Sequence, residues 1–160
     1  MRSASCSTCN WPDWPRRFAM KASDVVGTWE LVSFVRREAD GSETYPMGKD
    51  AVGRLTYTPT GFMHAILMRR GRKKFSTSNI FGVDDAERSD AGNGFSAYCG
   101  QYEIKDGTVY HHCELSFYPN WENEALPRRA KLEGGMLHLS PPQLPGQTTT
   151  STLSWRRTKN

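Results

Sequence analysis

The sequence lacks the marks of several function classes. No apolar run approaches the ~18 residues of a membrane span, and the opening "MRSASCSTCNWPDWPRRFAM" has no apolar central region of the secretory kind. The expectation is a soluble, cytoplasmic protein with no membrane partner. Cysteine is scarce, at four in 160 residues, and these do not make the dense framework of a disulfide-stapled secreted domain. Two of them stand in "CSTC", which has the spacing of half a zinc site, but no second close pair follows, so no metal is expected. Excess charge is small: the net charge of +4 is far from the clustered surplus of a nucleic-acid binder. The run "RRGRKK", Arg69 to Lys74, has no interleaved aromatic residue and reads as a solvated loop. Nucleotide loop, nucleophile elbow and paired zinc motif are all missing, which removes phosphoryl transfer, serine hydrolysis and zinc hydrolysis and implies no cofactor.

What is present is β text in a chain long enough for one domain with a real core. Residues 1–23 are expected to be a disordered N-terminal extension and 24–158 the domain. From Val25 onward, short alternating runs rich in Tyr, Phe, Trp, Val and Thr are broken by turn residues, which predicts antiparallel strands. Eight are placed: 27–37, 53–58, 62–68, 95–104, 108–117, 128–133, 136–140 and 152–157. Asp106-Gly107 and Gly134-Gly135 suit two-residue hairpin loops that require positive φ, and Pro59-Thr60-Gly61 suits a three-residue one. These tight turns alternate with long connections, so one end is closed and the other is ringed by loops. The fold class is an all-β, eight-stranded antiparallel up-and-down barrel, a cup able to hold side chains or one small ligand. A short lid helix, Asp84 to Ala91, is expected after the third strand.

The turns also fix which residues share a face. In "TVYHHCELSF", residues 108–117, the apparent cluster of two His, a Cys and a Glu splits into His111 and Cys113 facing in and His112 and Glu114 facing out. The interior then holds Tyr57, Met63, Leu67, Tyr98, Tyr102, His111 and Leu115, with Arg128 turned inward near the mouth. Those residues are the candidate ligand-binding set for a small hydrophobic molecule. Tyr102 faces His111 across one hairpin, close enough for a hydrogen bond, and this pair is the candidate acid–base couple if the protein is an enzyme. The plainer reading is a core histidine held by a tyrosine hydroxyl. Arg128 needs an anion, which a carboxylate-bearing ligand supplies, or else it reaches solvent or a loop residue such as Glu124. A barrel filled by its own side chains and acting through its surface is the third alternative. Oligomeric state is not legible.

The stretches "GTWELVSF", "DGSETYPMGKDAVGRLTYTPTGFMHAILMRR", "FSAYCGQYEI", "TVYHHCELSFYPNW" and "LSWRR", taken in order, resemble the lipocalin-like domain family of bacteria and fungi. The resemblance runs from Asp24 to Arg157. It implies structural roles for Gly27 and Trp29, the Gly-x-Trp of lipocalins, and for Arg156 as the arginine that covers the tryptophan. It implies either binding of a hydrophobic molecule or, as in natural-product pathways, cofactor-free isomerisation or cyclisation of a hydrophobic intermediate. The segment "STSNIFGVDDAERSDAGNGF" departs from the family's Glu- and Ala-rich helix, which puts the regularity of the lid in doubt.

Overall fold

A computed structural model describes residues 20–143 and 146–159. The strands are β1 (Gly27–Arg37), β2 (Glu43–Thr44), β3 (Val52–Tyr57), β4 (Phe62–Met68), β5 (Phe95–Lys105), β6 (Thr108–Ser116), β7 (Ala125–Glu133), β8 (Met136–Ser140) and β9 (Thr150–Arg157). Each long strand pairs antiparallel with its neighbour in sequence, and β9 returns to β1, so eight strands close into a barrel. The two-residue β2 pairs only with the end of β1. Closure pairs every long strand on both sides and, among the described residues, leaves only the two-residue β2 with an unpaired edge.

The tight turns form as their residues demand. Asp106 and Gly107 both take positive φ (49° and 73°), as do Gly134 and Gly135 (57° and 79°), the geometry that matches strand twist in two-residue hairpins. Together with the β3–β4 turn they gather at one end, which the short helix α1 (Ala22–Val25) plugs with a fully buried Val25. Residues 1–19 of the expected 1–23 extension lie outside the described residues, whereas Met20 packs against the core and α1 begins at Ala22. The "CSTC" pair likewise lies outside the described residues. Trp29 is buried next to α1, and its indole N–H donates to the Val25 carbonyl at 2.8 Å.

The arginine over Trp29 is Arg157 and not Arg156. Its guanidinium lies 4.1 Å from the ring centroid and donates to the Asp24 carbonyl, while Arg156 is exposed and faces Glu30 at 3.7 Å. Alternation explains this, since Trp155 is buried and Trp29 pairs in register with Arg157. The same stacking explains Gly27, where a Cβ would stand 2.5 Å from the Arg157 guanidinium.

At the other end, the helix α2 (Asp85–Asn93) starts from Asp84, whose carboxylate accepts from the Glu87 N–H at 2.8 Å. Glu87 in turn accepts two hydrogen bonds from Ser76, which ties the preceding loop to the helix. The basic run belongs to this end: Arg70 donates to the Asp50 carbonyl and Arg72 stacks on Phe95 at 5.2 Å.

Candidate functional site

The interior wall follows from the registers. Leu55 and Tyr57 on β3, Met63, Ala65 and Leu67 on β4, Tyr102 on β5, Val109, His111 and Cys113 on β6, and Leu137 and Leu139 on β8 are all buried. Phe34, Tyr98, Ala130 and Leu153 also pack against this core yet are only partly buried. The barrel is packed at its floor, and these four inward residues keep some exposure.

The expected side of β6 changes at one point. Gly100 pairs with Cys113 but Cys99 pairs with Leu115, so Glu114 is an extra residue, a β-bulge. Leu115, expected on the cavity wall, therefore points outward with 68% exposure. It lines a shallow outer groove of about 460 Å³ with His64, Ile66, Ala97, Cys99 and Phe117. Ser116 takes its place opposite Tyr98. The signal was in the sequence: a glycine inside a strand marks a close backbone approach, and a Cβ at Gly100 would stand 1.9 Å from the His112 carbonyl oxygen.

At the centre of the cup stands His111, 1% exposed and hydrogen-bonded at both ring nitrogens. The Tyr57 hydroxyl lies 2.7 Å from Nε2 and the Tyr98 hydroxyl 2.9 Å from Nδ1. Tyr102, expected to hold His111, is its cross-strand neighbour, but its hydroxyl donates instead to the Thr58 carbonyl at 2.9 Å. That bond uses its proton within the β3–β4 turn, and its ring packs edge-on against Tyr57 at 4.7 Å. The acid–base couple as drawn, Tyr102 with His111, is thus replaced by Tyr57–His111–Tyr98. Tyr57 sits on β3 and His111 on β6, so this contact crosses the lumen and no hairpin register could reveal it.

Arg128 pairs with Val109 and lies on the inner face in the middle of β7, not at the mouth, because β7 begins at Ala125. Its guanidinium donates to the Pro127 carbonyl at 2.8 Å and interacts with the Tyr98 hydroxyl. Among the described residues no carboxylate forms an ion pair with it, Glu124 included. Trp121, from the β6–β7 connection, stacks edge-on against Tyr98 at 5.4 Å and was not foreseen as part of the site. Cys113 and Cys99 are free thiols on opposite faces, and no group of metal-ligating side chains gathers among the described residues.

The electrostatics keep this network neutral apart from Arg128. Burial, reinforced by the Arg128 charge, pushes His111 well below the ordinary imidazole value. Burial likewise raises Tyr57 and Tyr98, with Arg128 opposing the rise. An imidazole held neutral in the fold binds fewer protons than in the unfolded chain, so its stabilising effect is complete above the unfolded value of ~6.5 and is lost as pH falls below it. Unfolding free energies from urea titrations are expected to drop between pH 7.5 and 5 with a limiting slope of about 1.4 kcal/mol per pH unit, and His111→Gln should flatten that slope. An unchanged slope in the variant would show that His111 is not the group responsible.

The eight-stranded closure, the Gly27–Trp29–Arg157 floor and the cup above it come together in one comparison: a lipocalin-like domain model matches residues 26–158. The chain belongs to the lipocalin-like domain family. Among curated relatives of this lipocalin-like protein, the 4′-hydroxy-3′-methoxypropiophenone carrier protein ppsC of Aspergillus oryzae is 29% identical over 106 residues, covering 59% of this chain and 96% of the relative. A lipocalin-like protein from Bacteroides uniformis superposes with a TM-score of 0.47 at 16% identity, over 84% of this chain and 99% of the other. A variant of the fluorescent protein UnaG gives 0.41 at 11% identity, over 86% and 99%.

Proposed function

We propose that this lipocalin-like protein carries a small hydrophobic, aromatic molecule in its cup, seated on the Tyr57–His111–Tyr98 chain with Arg128 beside it. The observation that supports this reading most is Arg128, an inward-facing cation for which the described residues supply no carboxylate. A cation in an apolar cup costs several kcal/mol unless an anion or strong acceptor meets it, and a ligand can be that group. The relative named as a carrier of a hydroxy-methoxypropiophenone fits the same chemistry: an aromatic ring for the partly buried Phe34, Tyr98 and Leu153 and oxygens for the polar groups. Trp121 against Tyr98 offers a ring at the upper side of the site.

Titration with 4′-hydroxy-3′-methoxypropiophenone, followed by calorimetry and tryptophan fluorescence, is expected to show saturable one-to-one binding. Arg128→Ala should weaken it about 10- to 100-fold, the loss of one charge-assisted hydrogen bond. Lys73→Ala, in the exposed loop, should leave it unchanged. Absence of saturation at millimolar concentration would sink the reading for this ligand class. Chemical conversion of the bound molecule, with His111→Ala reducing rate far more than affinity, would replace carriage by cofactor-free isomerisation or cyclisation.

A further inference from the structure

We propose that the cup selects its ligand by an acceptor oxygen, a carbonyl or carboxylate, because the Tyr57–His111–Tyr98 chain is wired so that the Tyr98 hydroxyl donates into the cavity. This rests on the carrier reading above and specifies its ligand.

A neutral imidazole has one N–H donor and one acceptor nitrogen. With a tyrosine hydroxyl on each nitrogen, at 2.7 Å and 2.9 Å, only two arrangements exist. In the first, Nε2 carries the proton and donates to Tyr57, and Tyr98 donates to Nδ1. The Tyr57 hydroxyl hydrogen then has no acceptor, in a side chain only 1% exposed whose hydrogen-bond partner among the described residues is His111. An unsatisfied buried donor carries the full desolvation penalty. In the second, Nδ1–H donates to the Tyr98 oxygen and Tyr57 donates to Nε2. Both buried members, Tyr57 and His111, are then satisfied, and the proton left over belongs to Tyr98, the half-buried member of the three. The geometry assigns the second.

The consequence is a polarity. The Tyr98 oxygen receives the imidazole N–H and faces the Arg128 guanidinium, so what it presents outward is O–H. Arg128 can only donate. The Tyr98 O–H and Arg128 are therefore both donors toward a ligand, and one offering only donors leaves them, and itself, unpaired.

Two measurements test this. Long-range ¹H–¹⁵N correlation of the His111 imidazole reads the tautomer without any ligand, and protonated Nδ1 is expected. Binding of four one-ring probes reads the selectivity: propiophenone, phenylacetate, propylbenzene and 1-phenylpropylammonium. Propiophenone or phenylacetate should bind at least about tenfold more tightly than propylbenzene, the worth of one hydrogen bond, and the tighter of the two identifies the group as carbonyl or carboxylate. The ammonium should bind no better than propylbenzene. Tyr98→Phe, which keeps the ring and removes the hydroxyl, should erase most of the propiophenone advantage. A proton on Nε2, or an advantage that survives Tyr98→Phe, overturns the wiring even if binding is tight. Failure of all four probes to bind removes the carrier reading and the ligand class with it.

Discussion

Trp29→Ala is expected to lower folding stability by about 3–5 kcal/mol, the range for deleting a fully buried tryptophan. Its indole is 0% exposed and ties three pieces of chain together: the ring packs in the floor, its N–H satisfies the Val25 carbonyl, and Arg157 lies across its face. Most domains of this size have a net stability of roughly 5–15 kcal/mol, so the loss is a large share of the whole. Urea unfolding followed by far-ultraviolet circular dichroism measures the loss. The two neighbouring arginines give the control. Arg157→Ala should cost about 0.5–1 kcal/mol through the lost ring contact, beyond which the carbonyls of Asp24 and Val26 lose a donor. Arg156→Ala, whose exposed pairing with Glu30 contributes little, should stay within about 0.5 kcal/mol. The opposite ranking would mean that the floor is held differently.

Gly100→Ala should be the most damaging of the glycine replacements. Most turn glycines have open space where a Cβ would go, whereas at Gly100 the added atom would stand 1.9 Å from the His112 carbonyl oxygen and 2.9 Å from the Glu114 nitrogen, both backbone atoms. Backbone cannot swing away as a long side chain can, so strands β5 and β6 must separate at the bulge. Overpacking of this kind costs about 1–3 kcal/mol or more. Removing the extra residue Glu114 along with the change should recover part of the loss, because the strand then runs past residue 100 without its bulge. The single and double variants are compared by urea midpoint. Wild-type stability in the single variant would show that β5 and β6 do not approach so closely.

The bulge also marks where reading the chain in steps of two stops working. Most strand ends, the two-residue turns and the inner positions up to Cys113 follow from local chemistry, since a two-residue turn fixes register and alternation carries it along the strand. One inserted residue reverses the sides beyond it, so Leu115 went out and Ser116 came in. Gly100 was visible as a strand glycine and could have warned of this. Arg157 over Trp29 was also within reach, because the burial of Trp155 places residue 157 on the inner side.

The site itself divides along the same physical line. Its members Tyr57, Tyr98, Tyr102, His111 and Arg128 could be nominated from the chain, because facing inward is a property of one strand and its nearest turn. Their partners could not. Tyr57 meets His111 across the lumen and Tyr102 turns to the Thr58 carbonyl, choices set by the curvature and stagger of the closed barrel. Arg128 moved from mouth to mid-strand because pairing with β6 begins at Ala125, ahead of the run that composition marks as strand. Local sequence chemistry dictates which face a residue takes, for that is decided by backbone geometry two residues away. Which polar groups meet inside the cup is decided only when eight strands close around them and leave each buried hydrogen-bonding group to find a partner.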